Sequence, residues 1–478
     1  MTSTQAPDPV LVALNRFGLG GRPGDYAAIA ADPRGALLAE LATPDVATIR
    51  DPALPTSAEA IQKVYERNKL ERELKLKKPA APAPMAAKPD AMAAKPAPPD
   101  RPAAPKLPQP QQEIFLAEVL ARIHKALDAG PGFVERLVAF WSNHFAVATN
   151  KDLIDRATAG AFEREAIRPF VLGRFVDMLQ AVERHPAMLT FLDNRVSIGP
   201  DSPAGLRQHR GLNENLARET MELHTLGVRS GYTQADVTNY AKIITGWTIV
   251  GPPGKMGEPG SFAFNRFAHE PGAETVLHKV YAQAGVGQGE AVLRDLAAHP
   301  ATARHVAFKL ARHFVADAPP PALVERLAKA YLESHGDLAV VSKALLAAPE
   351  AWSAPATKMR DPWEFVVAAL RATKERPDKP QPVLGAMNLL GMPIWTPAGP
   401  NGFSDVSAAW DGPEAMKLRL DLAARFAFAR KDHEDPRALL TDVLGPKVGE
   451  ATRVAVARAA SQPQGVALML MSPEFQRR

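Results

Sequence analysis

Apolar positions recur at the three-and-four spacing of helices along most of the 478-residue chain, and the pattern breaks in two places. Short helices punctuated by GLGGRPG (18–24) and Asp32-Pro33 are predicted over residues 9–42. From 113 to 245 the pattern predicts helices near 113–128, 131–148, 158–182, 186–192, 213–226 and 233–245. The period then shortens: residues 245–252, 261–267 and 275–281 alternate or carry β-formers between Gly/Pro turns, which predicts a small antiparallel meander within 245–281. Helices return after Gln288 and are interrupted by the loop at 396–405. The expected fold class is therefore mainly α, a multi-helical globular body with one small β meander.

The other break is the segment 51–112. Residues 61–78 hold seven Lys/Arg against three Glu on a charged helix, and 22 of the 32 residues in 79–110 are Ala or Pro, a composition that favours extended, unpacked chain. Three regions follow: N-terminal helices at 1–50 packing on the body, this charged and disordered insertion at 51–112, and a helical body at 113–478.

Charge adds one exclusion. The net charge is +5, but 61–78 contributes +4 and 79–110 contributes +2, so the rest stands at 5 − 6 = −1. A near-neutral body does not match a nucleic-acid partner. With no cysteine, thiolate metal sites, disulfides and cysteine nucleophiles are excluded. No apolar run reaches the length of a membrane span, and the N-terminus lacks a basic region before its apolar run, so a cytoplasmic location is expected, with export alongside a partner left open. There is no phosphate loop, HExxH, GxSxG or EF-hand pattern, and GLGGRPG has the wrong spacing and a helical rather than strand lead-in for a dinucleotide loop.

Candidate chemistry concentrates on two helices. In GLNENLARETMELHTLGV (211–228), at 100° per residue, Glu219 and Glu222 lie within about 40° of Asn215 and flank an apolar stripe, while His224 falls on the opposite side. Carboxylates beside a core-facing stripe need a partner, a proton or a cation. Arg218, four residues from both Glu214 and Glu222, offers a structural ion network; the alternative is a carboxylate of raised pKa acting as acid or base, or a divalent-metal ligand. In PGFVERLVAFWSNHFAVATN (131–150), His144 centres on the apolar face, where a satisfied core histidine is the plain reading and a His–carboxylate pair with Glu219 or Glu222 the sharper one.

Glu219, Glu222, His144 and Arg218 are accordingly the catalytic candidates, the first three also the metal candidates, the cofactor being unknown. Asn143, Asn215, His269, His305 and Lys309 are candidate substrate-binding residues; His305, Lys309 and Arg312 share one helix edge, and a weaker candidate is the loop around Asn401–Asp405. His185 and His299, each in His-Pro-Ala, are expected to cap helices.

The strings NRFGLGGRPGD (15–25), FWSNHF (140–145), RHPAMLTFLDN (184–194), NENLARETMELHTLGV (213–228), GYTQADV (231–237), TGW (245–247), HPATA (299–303), PNGF (400–403) and SPEFQRR (472–478) together resemble the bacterial domain-of-unknown-function family 1800. The resemblance covers nearly the whole chain outside the 50–110 arm. It implies a largely helical protein with no established reaction, and a sulfatase-like partner protein of unknown function. The chain departs from the family pattern at Thr220-Met221 and Phe403, none of them charged. Two functions remain open: a hydrolase-type enzyme with a His/carboxylate site where helices 131–148 and 213–226 meet, or a non-catalytic helical assembly partner.

Overall fold

A computed structural model describes residues 7–76, 107–208, 211–430 and 434–478. The stretch expected to be extended, 79–110, lies outside the described residues up to position 106, and Pro110 already opens a helix.

Helices carry the architecture. They are α1 (Pro33–Ala42), α2 (Ser57–Leu76), α3 (Pro110–Asp128), α4 (Phe133–His144), α5 (Leu153–Phe162), α6 (Phe175–Arg184), α7 (Pro186–Phe191), α8 (Asn215–Glu219), α9 (Gln234–Ile243), α10 (Val286–Ala298), α11 (Pro300–Phe314), α12 (Pro321–Glu333), α13 (Leu338–Ala347), α14 (Pro362–Ala372), α15 (Gln381–Leu389) and α16 (Pro413–Ala429), with short helices from Pro436 onward. Polar punctuation sets their starts. The His185 and His299 side chains accept the amides of Ala187 and Ala301, both at 3.1 Å, so the two His-Pro-Ala strings start α7 and α11 as N-caps. Asp361 and Glu364 form a capping box at the head of α14.

The β structure is two separate antiparallel hairpins and not one meander. β1 (Trp247–Ile249) pairs with β2 (Phe262–Phe264), and β3 (Glu274–Val276) pairs with β4 (Lys279–Tyr281). The chain between 264 and 274 turns away to seat His269 and Glu270, which breaks the sheet. Thus the mainly helical class holds, and the β-formers lie where the alternation predicted them.

One apolar core runs through the molecule, from Phe17 and Leu37 through Phe133, Trp141 and Phe175 to Phe314, Phe365 and Phe475. Among the described residues no helix is long and apolar enough to cross a membrane. The core is also unusually rich in buried arginine: Arg16, Arg136, Arg360, Arg371 and Arg419 are all sealed. Arg16 and Arg371 spend their donors on backbone carbonyls, Arg16 on Ala351 and Ala354 (both 2.7 Å) and Arg371 on Gly20 (2.8 Å) and Ala129 (2.8 Å). A buried guanidinium is tolerable on those terms, because every donor given a carbonyl replaces a lost water.

Candidate active site

The NENLARE segment begins as α8 and widens at Thr220–His224 into a π turn. The Thr220 hydroxyl sits between Leu216 O (2.7 Å) and Glu183 Oε2 (2.9 Å), and the Thr225 hydroxyl reaches back to Thr220 O (2.6 Å). A π turn holds an extra residue, so positions beyond it rotate away from a 100° wheel. His224, expected on the far side, is therefore fully buried. Its Nδ1 stands 2.7 Å from Glu183 Oε1, and both residues have no exposed surface. The protein does hold an oriented His–carboxylate pair, but its members are His224 and Glu183, which sequence reading did not single out as a pair.

α4 meets the π turn at this point: His144 Nε2 lies 3.1 Å from His224 O. His305 Nε2 likewise lies 3.1 Å from Leu223 O. A carbonyl can only accept, so both Nε2 atoms carry the proton and both Nδ1 atoms are bare. Burial, with Lys309 adding to it, holds His144 far below the usual imidazole range and His305 down to about 4. Gly227 makes room for this packing; it is left-handed (φ +89°), and a Cβ there would come within 2.8 Å of His305 Nδ1.

The catalytic candidates on α8 lie at the outer edge of this centre. Glu219 is half-buried and has neither hydrogen bond nor ion pair among the described residues; burial, reinforced by Glu222, raises its carboxyl above the usual range. Glu222 accepts the Tyr232 hydroxyl at 3.3 Å. Arg218 pairs with Glu214 at 2.9 Å, so of the two expected i, i+4 pairs the one toward the N-terminus forms. Asn215 is exposed. His144 hydrogen-bonds the π-turn backbone and neither of these carboxylates. Among the described residues no three His, Asp or Glu side chains group as a metal site would require. His269, a substrate-binding candidate from sequence, is buried with Nδ1 3.0 Å from Thr245 O and Nε2 3.2 Å from Gln283 Oε1.

A concave surface lies on the other side of α4. A cavity of about 60 Å³, open to solvent, is bounded by α4, the head of α14, the end of α11 and the loop 392–405. Asn143, a candidate from sequence, fixes that loop: its Nδ2 donates to Phe403 O (3.0 Å) and its Oδ1 accepts Phe403 N (2.7 Å). Gly402 permits the approach, since it is left-handed (φ +71°) and a Cβ would meet Asn143 O at 2.4 Å. Lys358 bonds Asp405 O from behind and pairs with Asp317 at 2.6 Å.

Asp361, half-buried, faces this cleft. Burial, with the Glu364 carboxylate beside it, raises its carboxyl to about 6. Glu364 takes the opposite course: burial alone would raise it, but Arg136 (2.7 Å) and Arg478 (2.6 Å) outweigh burial and hold it well below the usual range. Burial lowers Arg136 to about 9 and His313 to about 4. His313 is set between Arg136 (3.2 Å at Nε2) and Asp405 (3.9 Å at Nδ1). Two adjacent carboxyls driven in opposite directions is the arrangement acid–base sites use.

Arg122 forms the cleft's cationic wall. Its Nε pairs with Glu163 Oε2 at 3.1 Å, and its guanidinium carbon lies over the indoles of Trp363 (4.5 Å) and Trp395 (5.2 Å). Glu163 is fixed in turn by the Ser142 hydroxyl (2.9 Å), Trp395 Nε1 (3.2 Å) and Arg168 (2.8 Å); burial would raise it, and Arg122 with Arg168 holds it below the usual range.

Sequence reading missed Asp361, Arg122 and the tryptophans. The Asp-Pro-Trp-Glu string at 361–364 reads as a helix start, which it is, and helix-cap aspartates give no hint of a cleft. Asn143 and the 401–405 loop were the only pointers to this side.

Fold and cleft together describe a mainly helical protein with buried arginine networks and a polar-floored cleft. The chain belongs to the family described as Protein of unknown function (DUF1800), which it matches over residues 12–477. No curated protein and no solved structure matches it.

Proposed function

We propose that the chain is a hydrolytic enzyme whose chemistry takes place in the cleft between α4 and α14, with Asp361 as general base and Arg122 receiving an anionic substrate. The observation that carries this reading is Asp361 itself: a carboxyl pushed up to about 6, open to a cavity and beside a guanidinium. A base poised near neutral pH is ionised enough to work and basic enough to take a proton from water. The Arg136–Glu364–Arg478 network below it holds its charge fixed while Asp361 changes its own. Asn143 and Lys358 hold the loop that closes the cleft, so the wall facing Asp361 keeps its place during turnover.

Turnover of chromogenic esters, amides and glycosides by the full chain tests this. The expected rate rises as pH passes about 6, because the base must be ionised, and Asp361→Asn lowers it at least a hundredfold. Glu219→Gln, on the far side of α4, leaves it unchanged. If Glu219→Gln abolishes turnover and Asp361→Asn does not, the working centre is the α8 edge first suspected from sequence.

A second reading has its own support. Arg168 engages Glu135 through two bonds (2.8 and 3.0 Å), and Arg478 engages Glu364 through two (2.6 and 2.8 Å), all buried. Carboxylates sealed against arginines suit a rigid assembly partner, for instance of a sulfatase-like protein, in which buried ions fix helix register. No turnover of any probe, together with a stable complex with such a partner, would favour it.

A further inference from the structure

Arg122 is nine-tenths buried, yet its two terminal amino groups make no hydrogen bond among the described residues. Its Nε edge is occupied by Glu163, and its guanidinium carbon lies over the Trp363 and Trp395 rings. The terminal nitrogens are all that is left to bind, and Arg122 lines the cleft. A ligand acceptor reaching them from the cleft would make charge-assisted hydrogen bonds.

We infer that the cleft takes a monocarboxylate with an apolar tail, its carboxylate held by the terminal amino groups of Arg122 and its tail laid along Met387, Met392, Pro393 and Phe403. This names the substrate class for the cleft reading above and rests on it. Three features select the class. The planar guanidinium fork, lying against two indoles, matches the planar two-oxygen edge of a carboxylate. Glu364 is taken up by Arg136 and Arg478, but Asp361 and Asp405 also line the wall, so a dianionic phosphate would meet more repulsion there than a monoanion opposite Arg122. Part of the lining is thioether, proline and aromatic carbon, with Met387 fully buried, which gives an alkyl or aryl chain a surface to lie on.

Trp363 and Trp395 make the test optical. Titrating the full chain with hexanoate is expected to change tryptophan emission saturably, in the low-millimolar range or tighter. Hexanamide, of the same shape without charge, and inorganic phosphate are each expected to bind at least tenfold more weakly. Arg122→Lys keeps the charge and loses the fork, and should weaken hexanoate at least tenfold; Trp395→Phe should diminish the signal. The wild-type comparison of hexanoate with hexanamide needs no variant, so a misfolded Arg122→Lys does not spoil it. Saturation by hexanamide or phosphate with an affinity equal to hexanoate's overturns the carboxylate class and leaves the cleft as a site. Silence from all three probes overturns the class as well, and whether the cleft reading falls with it is decided by the separate comparison of Asp361→Asn with Glu219→Gln.

Discussion

At the scale of single residues, the molecule sets buried acids in two contrasting states. Glu364, satisfied by two arginines, is held below the usual carboxylate range. Its ionised form is favoured by folding, so its stabilisation is present above the ordinary carboxylate pKa and is lost as pH falls through the depressed folded value. Removing the charge leaves Arg136 and Arg478 buried with a weaker partner, so Glu364→Gln should cost about 3–5 kcal/mol in urea unfolding at pH 7. Asp155 is the reverse. It is fully buried, neither carboxyl oxygen has a hydrogen-bond partner, and burial raises it to about 9. The folded chain keeps the proton that the unfolded chain releases near pH 4, so stability falls as pH rises from about 4 towards 9, by up to about 1.4 kcal/mol per pH unit. Asp155→Asn should flatten that slope, which unfolding curves at pH 5, 7 and 8.5 would reveal; an unchanged slope would mean Asp155 finds a partner in solution.

At the scale of elements, what could be read from sequence divides along a physical line. Local chemistry was legible: histidine before Pro-Ala caps a helix because the imidazole nitrogen can reach the amide two residues on, and the structure places both His185 and His299 in that role. His299→Ala should therefore cost about 1 kcal/mol in thermal unfolding, with His299→Asn, another good cap, recovering most of it. His185 also bonds Glu165 (3.1 Å), so its loss should cost more than that of His299. The wheel drawn through 211–228 failed where the helix ceased to be α. Thr220 and Thr225 draw backbone and carboxylate contacts that widen the turn, and His224 swings into the core. The string ExxExH cannot announce this, because the carboxylate that stabilises the widened turn, Glu183, comes from another helix. Glu183→Gln should accordingly loosen the π turn, seen as faster amide exchange at 220–225 with α11 unaffected.

At the scale of the whole molecule, the cleft escaped sequence reading because it belongs to no segment. Arg122 from α3, Asn143 from α4, His313 from α11, Asp361 from α14 and the 392–405 loop are separated by up to hundreds of positions, and only packing unites them. The same long-range logic holds the chain's two halves together. Arg360 bonds Asn15 Oδ1 (2.8 Å) and Phe475 O (2.7 Å), Arg419 bonds Gln476 Oε1 (3.0 Å), and Arg478 reaches both Glu364 and His313 O (2.7 Å). Residues 476–478 thus seal the floor of the cleft and anchor α14 and α16 together. Deleting them would leave Glu364 with Arg136 alone and take Gln476 from the buried Arg419, a larger loss than any single substitution here, since a broken buried pair alone costs about 3–5 kcal/mol. The expected result is loss of exchange protection first in α11 and α14 and a lowered melting temperature, with α2 and α5, which those residues do not touch, protected longest. Uniform loss of protection would instead mean that the molecule unfolds as one unit whatever part is weakened, and that the arginine network stiffens the whole core and not the cleft alone.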